Sequence, residues 1–171
     1  MNGEALAAIM GCALVRADTW APHLTEAMVR FDINTVRRQT AFLAQVGHES
    51  GRLRYVRELA SGEAYEGRAD LGNTEPGDGV RFKGRGLIQI TGRANYRACG
   101  DALGLNLLDT PALLEAPKYA ALSAGWFWDV KRLNALADIG DFDRITRRIN
   151  GGTNGMADRL ALYGKANEVL A

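Results

Sequence analysis

Between residues 51 and 86 the chain carries eight glycines, including the run Gly72-Asn73-Thr74-Glu75-Pro76-Gly77-Asp78-Gly79. Glycine at this density raises the entropy cost of ordering the backbone, and proline removes a donor, so no helix is expected to survive there. The stretch is too long for a plain connection. Segments of this length inside a compact domain are functional or disordered. Tyr55, Tyr65 and Phe82 give this one apolar surface to pack, which favours an ordered, functional lobe, with room for a short strand pair.

The flanking sequence reads as helix. Ala5 to Val15 is apolar, and Pro22 suits the start of a second helix ending near Phe31. Asn34 can cap a third, from about Thr35 to His48, with Gly51 as its stop. Beyond the lobe, Leu87-Ile88-Gln89-Ile90 is followed by Thr91, a candidate cap for a helix over 93–103. Thr110-Pro111 is a helix start with proline at the first position. Pro117 opens another helix, which carries Trp126-Phe127-Trp128. Segments 141–149 and 154–170 complete the set. The expectation is a mainly α chain, one domain over 1–171, with the irregular lobe over about 51–86.

Composition narrows the function. The 171 residues hold 21 Lys plus Arg against 20 Asp plus Glu, a net charge of +1, so no global basic field argues for nucleic acid. No apolar run approaches the ~18 residues of a membrane span, and stable membrane insertion is not expected. No Lys or Arg precedes Ala5–Val15, which reads as a core helix rather than a signal peptide; synthesis in the cytoplasm is the expectation. Cys12 and Cys99 read as buried thiols. Two histidines, His23 and His48, cannot build a histidine metal cage, and no cofactor motif is present.

The chemistry points to carboxylates. Glu49 follows Phe42 and Val46 along one helix stripe. A carboxyl buried on an apolar stripe resists ionisation, which is what a general acid requires. On spacing alone, an exposed glutamate at a frayed helix end stays open. Glu58 follows Arg57 and lies near Arg52 and Arg54; neighbouring cations favour the ionised form. One protonated and one ionised carboxylate is the pattern of glycoside hydrolysis. Glu63 and Glu66 read as solvated charges.

Gln89, Thr91, Asn95 and Tyr96 form a polar cluster just past the lobe, and Asn150-Gly151-Gly152 places another amide beside accessible backbone. Such groups both donate and accept, as sugar hydroxyls demand. Gln89 fits a core hydrogen bond equally well, and Asn150 fits a helix end. Trp126-Phe127-Trp128 reads as core rather than as a sugar platform. His48-Glu49 lacks the second histidine of a zinc-protease helix, and Gly47-His48-Glu49-Ser50-Gly51 lacks the central serine of a nucleophile elbow.

In order, Ala44-Gln45-Val46-Gly47-His48-Glu49-Ser50-Gly51, Arg57-Glu58-Leu59, Tyr65-Glu66-Gly67-Arg68, Gly84-Arg85-Gly86-Leu87-Ile88-Gln89-Ile90-Thr91 with Asn95-Tyr96, Trp126-Phe127-Trp128, Ile149-Asn150-Gly151-Gly152 and Ala157-Asp158-Arg159 resemble the glycoside hydrolase family 19 chitinases. The compact length and the Arg-Ala-Asn-Tyr segment resemble the phage and prophage endolysins of that family. The resemblance implies a lysozyme-like, two-lobed helical fold with the irregular lobe lining a cleft, and inverting hydrolysis of a β-1,4 bond in an N-acetylated polysaccharide. It implies Glu49 as general acid, Glu58 as general base and Thr91 as the hydroxyl that holds the attacking water. Gln89, Asn95, Tyr96 and Asn150 are implied as substrate-binding residues, with Arg159 pairing with the acidic site. No metal or cofactor is implied. The partner is peptidoglycan or a chitin-like polysaccharide, met by a monomer at the cell wall after release through a membrane-permeabilising partner. Only nine residues separate Glu49 from Glu58, where plant members carry a longer insertion, and this keeps Glu66 as an alternative base. Ala94 stands where plant members have tyrosine. An inverting pair would sit roughly 6.5–9.5 Å apart.

Overall fold

The computed structural model describes residues 1–171. Helices α1 (Gly3–Met10), α2 (Leu14–Arg30) and α3 (Val36–Glu49) form the N-terminal half. After the irregular lobe come α5 (Arg93–Leu103), α6 (Pro117–Val130), α7 (Leu133–Asp138), α8 (Phe142–Asn150) and α9 (Met156–Leu170). The lobe itself contains one helical turn, α4 (Asp78–Arg81), and 3-10 turns at Glu63–Tyr65 and Ala69–Leu71. Helix α3 packs along α9, α2 packs along α6, and α1 crosses both α2 and α9.

Apolar spacing explains which faces turn inward. Helix α2 buries Ala17, Trp20, Ala21, Leu24, Ala27 and Met28, the three-and-four rhythm of an amphipathic helix. In α3 the whole run Thr40–Gly47 is buried, because α9 covers one side and α7 approaches another. One connected core runs from Leu6 to Ala166 and includes Leu53 and Phe82 of the lobe and Leu87, Ile88 and Ile90 just past it. The lobe is therefore anchored by its own side chains, not draped over the surface.

Several boundaries differ from the expectation. The stretch Ala5–Val15 is not one helix. Gly11 adopts φ 61 and its N–H caps the Ala7 carbonyl, ending α1 in the left-handed stop that glycine tolerates. Helix α2 then starts at Leu14, so Pro22 sits inside it. Pro22 is solvent-exposed, and its missing hydrogen bond leaves a carbonyl that water can reach. Thr35, not Asn34, caps α3 by accepting from the Arg38 N–H at 3.3 Å. Gly92 rather than Thr91 precedes α5, and Thr110 makes no side-chain cap. No strand pair forms in the lobe; two isolated bridges tie Arg85 to Arg57 and to Ile90. Asp78–Arg81 forms a helical turn despite Gly79 within it and Gly77 before it, with the buried Asp78 carboxylate bound to Arg93 at 2.6 and 2.7 Å. Both cysteines are free; Cys99 is buried and Cys12 is half-buried.

Candidate active site

Helix α3 ends at Glu49, and the chain then makes a tight left-handed passage. Gly51, Arg52 and Leu53 have φ values of 57, 59 and 63. Two non-glycine residues in this region cost about 1–2 kcal/mol each. The surroundings hold them. The Ser50 hydroxyl donates to the Val46 carbonyl at 2.6 Å and accepts from the Leu53 N–H at 2.9 Å. Leu53 is buried, and the Arg52 guanidinium closes on Asp158 of α9. His48 meets the same carboxylate through Nδ1 at 2.6 Å. The hydrogen-bonded Arg52, opposed by desolvation and reinforced by His48, pulls the Asp158 carboxyl down to about 2.

The next residue of α9 grips Glu49. Arg159 has only 1% of its side chain exposed, and its Nη2 reaches Glu49 Oε1 at 2.6 Å. Its Nη1 also donates to the buried Gln45 amide oxygen. Gln45 Nε2 donates to the Thr146 hydroxyl at 2.8 Å, which donates to the Phe142 carbonyl at 3.0 Å. A polar relay thus crosses the core from α8 through α3 to α9 and ends on Glu49. A buried guanidinium needs such partners for its donors.

Glu58 is held differently. Its Oε1 accepts from the Tyr65 hydroxyl at 2.8 Å and its Oε2 from the Gly84 N–H at 3.0 Å. Burial first, then Glu58, pushes the Tyr65 phenol above its ordinary range, so Tyr65 remains a donor. The backbone of Glu58 also donates to the Gly84 carbonyl at 2.9 Å. A Cβ at position 84 would lie 2.7 Å from Gln89 Oε1 and 3.2 Å from Glu58 Oε2; the glycine lets these two side chains converge. Each Glu58 oxygen keeps lone pairs free for a further donor.

A cleft of about 360 Å³ adjoins Gln89. Gln89, Thr91, Asn95, Trp126, Phe127 and Lys131 line it, with Leu71, Ile90, Ala98 and Val130. Gln89, itself at φ 58, donates from Nε2 to the Gly86 carbonyl at 2.9 Å. Thr91 donates its hydroxyl to the Gln89 carbonyl at 2.9 Å, which leaves acceptor lone pairs free for a water proton. Asn95 donates to the Thr91 carbonyl at 2.8 Å and keeps its amide oxygen free. Planar amides and a hydroxyl beside aromatic faces suit a molecule with polar edges and apolar faces.

The structure thus brings Gln89, Thr91 and Asn95 together in one cleft; Glu58 converges with Gln89 at Gly84, and neither Glu49 nor Glu58 is among the lining residues. Four sequence expectations are corrected. Tyr96 is fully buried; its hydroxyl donates to the Lys83 carbonyl at 2.6 Å and accepts from Arg85 at 3.0 Å, so it braces the lobe and touches no ligand. Burial pushes that phenol up to about 12. Arg159 pairs with the acidic Glu49 as expected, but at 1% exposure it lies inside the core and is not placed to meet substrate itself. Glu66, kept as an alternative base, accepts from the Gly77 and Gly79 N–H groups at 2.6 and 2.8 Å, which ties it to the α4 turn rather than to Gln89. Of the aromatic trio only Trp128 is core, edge-on to Phe42 at 5.4 Å, while Trp126 and Phe127 line the cleft.

The charges around the two carboxylates also fall otherwise than their sequence neighbours suggest. Arg57 points to Glu115 at 3.7 Å and Arg52 to Asp158, and no cation pairs with Glu58. The cation instead meets Glu49, through Arg159 at 2.6 Å, so the apolar setting expected for Glu49 and the cationic one expected for Glu58 are exchanged. Asn150 is exposed at the last residue of α8, outside the cleft lining. Sequence reasoning missed Gln45, Tyr65 and Asp158 as parts of the site. Gln45 did carry a signal, being a polar residue amid the apolar run of α3.

The family model described as chitinase class I matches residues 27–169. A Haemophilus influenzae protein described as containing a glycosyl hydrolase family 19 domain is 33% identical over 159 residues, covering 74% of this chain and 76% of its own length. An Arabidopsis thaliana endochitinase is 41% identical over 135 residues, 78% of this chain, but the match spans only 46% of the plant protein. Among solved structures, chitinase C from Streptomyces griseus superposes with a TM-score of 0.79 at 26% identity, covering 99% of this chain and 76% of that one. These matches carry the lysozyme-like helical fold of the family. With its model spanning most of the sequence, the chain belongs to glycoside hydrolase family 19 and is a glycosidase.

Proposed function

We propose that the protein cleaves the β-1,4 glycan backbone of bacterial peptidoglycan, in the manner of an endolysin, by an inverting mechanism. The observation that carries the chemistry is the unlike holding of two carboxylates. Glu49 is fixed through one oxygen by Arg159, and its Oε2 stays available to deliver a proton to the leaving oxygen. Glu58 receives only neutral donors, Tyr65 and the Gly84 N–H, and keeps acceptor capacity for a water. Thr91, its own proton committed to Gln89, accepts from that same water. Glu58 draws a proton from the water as its oxygen attacks the anomeric carbon on the face away from the leaving group, and Glu49 donates its proton as the glycosidic bond breaks.

The short connection between the carboxylates supports the choice of peptidoglycan. Nine residues from Glu49 to Glu58 leave little chain to wall off the cleft, and an open cleft suits a branched glycan. Chitin is the second reading, favoured by the similarity to an endochitinase and to chitinase C. Turnover on purified peptidoglycan and on chitin oligomers, with mass spectrometry of the new ends, separates the two. Proton NMR of the first product tests the stereochemistry. The α-anomer is expected, and initial β-anomer would overturn Glu58 as base.

A further inference from the structure

The cleft beside Gln89 has a single charged residue in its lining, Lys131. Of the four lysines in the chain, the other three are engaged. Lys118 pairs with Glu26, Lys165 with Glu168, and Lys83 donates to the Ala60 carbonyl. Lys131 has no carboxylate or carbonyl partner. Its ammonium stands 5.5 Å from the centroid of the Phe127 ring, which holds the charge beside an aromatic wall of the cleft. A second cation backs it: Arg148 Nη1 donates to the Lys131 carbonyl at 3.0 Å, and Arg148 forms no ion pair. The nearest acid along α6, Asp129, is two residues away, a spacing at which helical side chains do not face each other.

An uncharged homopolymer of N-acetylglucosamine offers this ammonium no counter-charge. Peptidoglycan does, because every second sugar carries a lactyl ether ending in a carboxylate or in a peptide that bears carboxylates. We propose that Lys131, supported by Arg148, is a specificity-determining residue that receives a carboxylate borne by the glycan. The inference rests on the cleft being the glycan site, as argued above, and narrows its substrate class to anionic glycans. A charge-assisted hydrogen bond to a carboxylate is among the stronger polar contacts. The competing role is structural: Lys131 directly follows the last residue of α6, where a helix end favours a cation. That role would affect folding and all substrates alike.

The test compares kcat/KM for wild type, Lys131→Gln and Lys131→Arg on three soluble substrates of equal length. These are an N-acetylglucosamine oligomer, a muramic-acid glycan stripped of peptide, and the same glycan with peptide. The expected result is a Lys131→Gln loss that is roughly tenfold greater on the carboxylate-bearing glycans than on the neutral oligomer. It should appear in KM, fade with salt and be largely restored in Lys131→Arg. Loss confined to the peptide-free glycan assigns the lactyl carboxylate, which becomes an uncharged amide once the peptide is attached. Loss confined to the peptide-bearing glycan assigns a peptide carboxylate, and equal loss on both means that the ammonium receives either one. Equal loss on neutral and charged substrates, or none, overturns the proposal. If wild type cleaves no muramic-acid glycan, the same ratio is read as binding to Glu49→Gln protein with and without Lys131→Gln. Lys131-dependent preference there keeps the inference and removes the proposed reaction; its absence removes both.

Discussion

Glu49 and Glu58 are nine residues apart in the chain, yet they are held by opposite means. Glu49 belongs to the helical body. Its partner Arg159 is buried and is itself fixed by Gln45, whose amide rests on Thr146. Glu58 belongs to the irregular lobe, where a phenol and one backbone N–H hold it, and both come from nearby turns. The body fixes its carboxylate with charge and depth; the lobe does so with neutral donors at its surface. Loss of a partner should therefore cost far more on the helical side than in the lobe.

The largest expected effect lies on the reacting groups. Glu49→Gln keeps shape but carries no proton to give, and turnover should fall roughly 10²- to 10⁴-fold with an unchanged circular dichroism spectrum. A variant retaining most of its rate would break the comparison at its root. Next is the partner on the helical side. Arg159→Met leaves a carboxylate and a buried amide without their donor, and urea unfolding should show a loss of about 3–5 kcal/mol. The matching change in the lobe, Tyr65→Phe, removes one neutral hydrogen bond and should cost about 1 kcal/mol. Should Tyr65→Phe destabilise as much as Arg159→Met, the two regions are not held by different means.

The smallest effect is a pH dependence. Asp158 titrates near 2 in the folded protein against an ordinary 3.8. Its folded value is depressed, so its contribution to stability is fully present above about pH 4. That contribution fades as pH falls through the window from 3.8 to about 2. Melting temperatures of wild type and Asp158→Asn should differ at pH 5 and converge as pH approaches 2. A gap that persists at low pH would mean that Asp158 acts through packing alone.

The helices were legible because their signals are local. Pro117 opens α6 as expected, and the cap of α3 falls on Thr35, one residue beyond the expected Asn34. Gly11 carried the break between α1 and α2, but the apolar run across it masked the stop. The two carboxylates were legible as types in a spacing, and their surroundings were not. Neighbouring arginines suggested cations around Glu58, but a side chain in an irregular lobe follows the fold rather than its sequence neighbours. Arg52 turns away to Asp158 and Arg57 to Glu115. Tyr96 followed the same logic in reverse: a polar residue beside Asn95 faces the opposite side of α5, where Phe82 packs on it at 5.2 Å.

The left-handed passage at Gly51-Arg52-Leu53 bears on the order of assembly. Its strain is offset chiefly from far along the chain, since Asp158 is 106 residues from Arg52 and Arg159 is 110 from Glu49. Contacts of such separation close late in folding, after the local helices have formed. During synthesis, both carboxylates leave the ribosome long before the helix that orients Glu49. A nascent chain that stops short of α9 holds both carboxylates and still lacks the buried guanidinium that grips Glu49, so under the proposed mechanism competence arrives with the docking of the last helix.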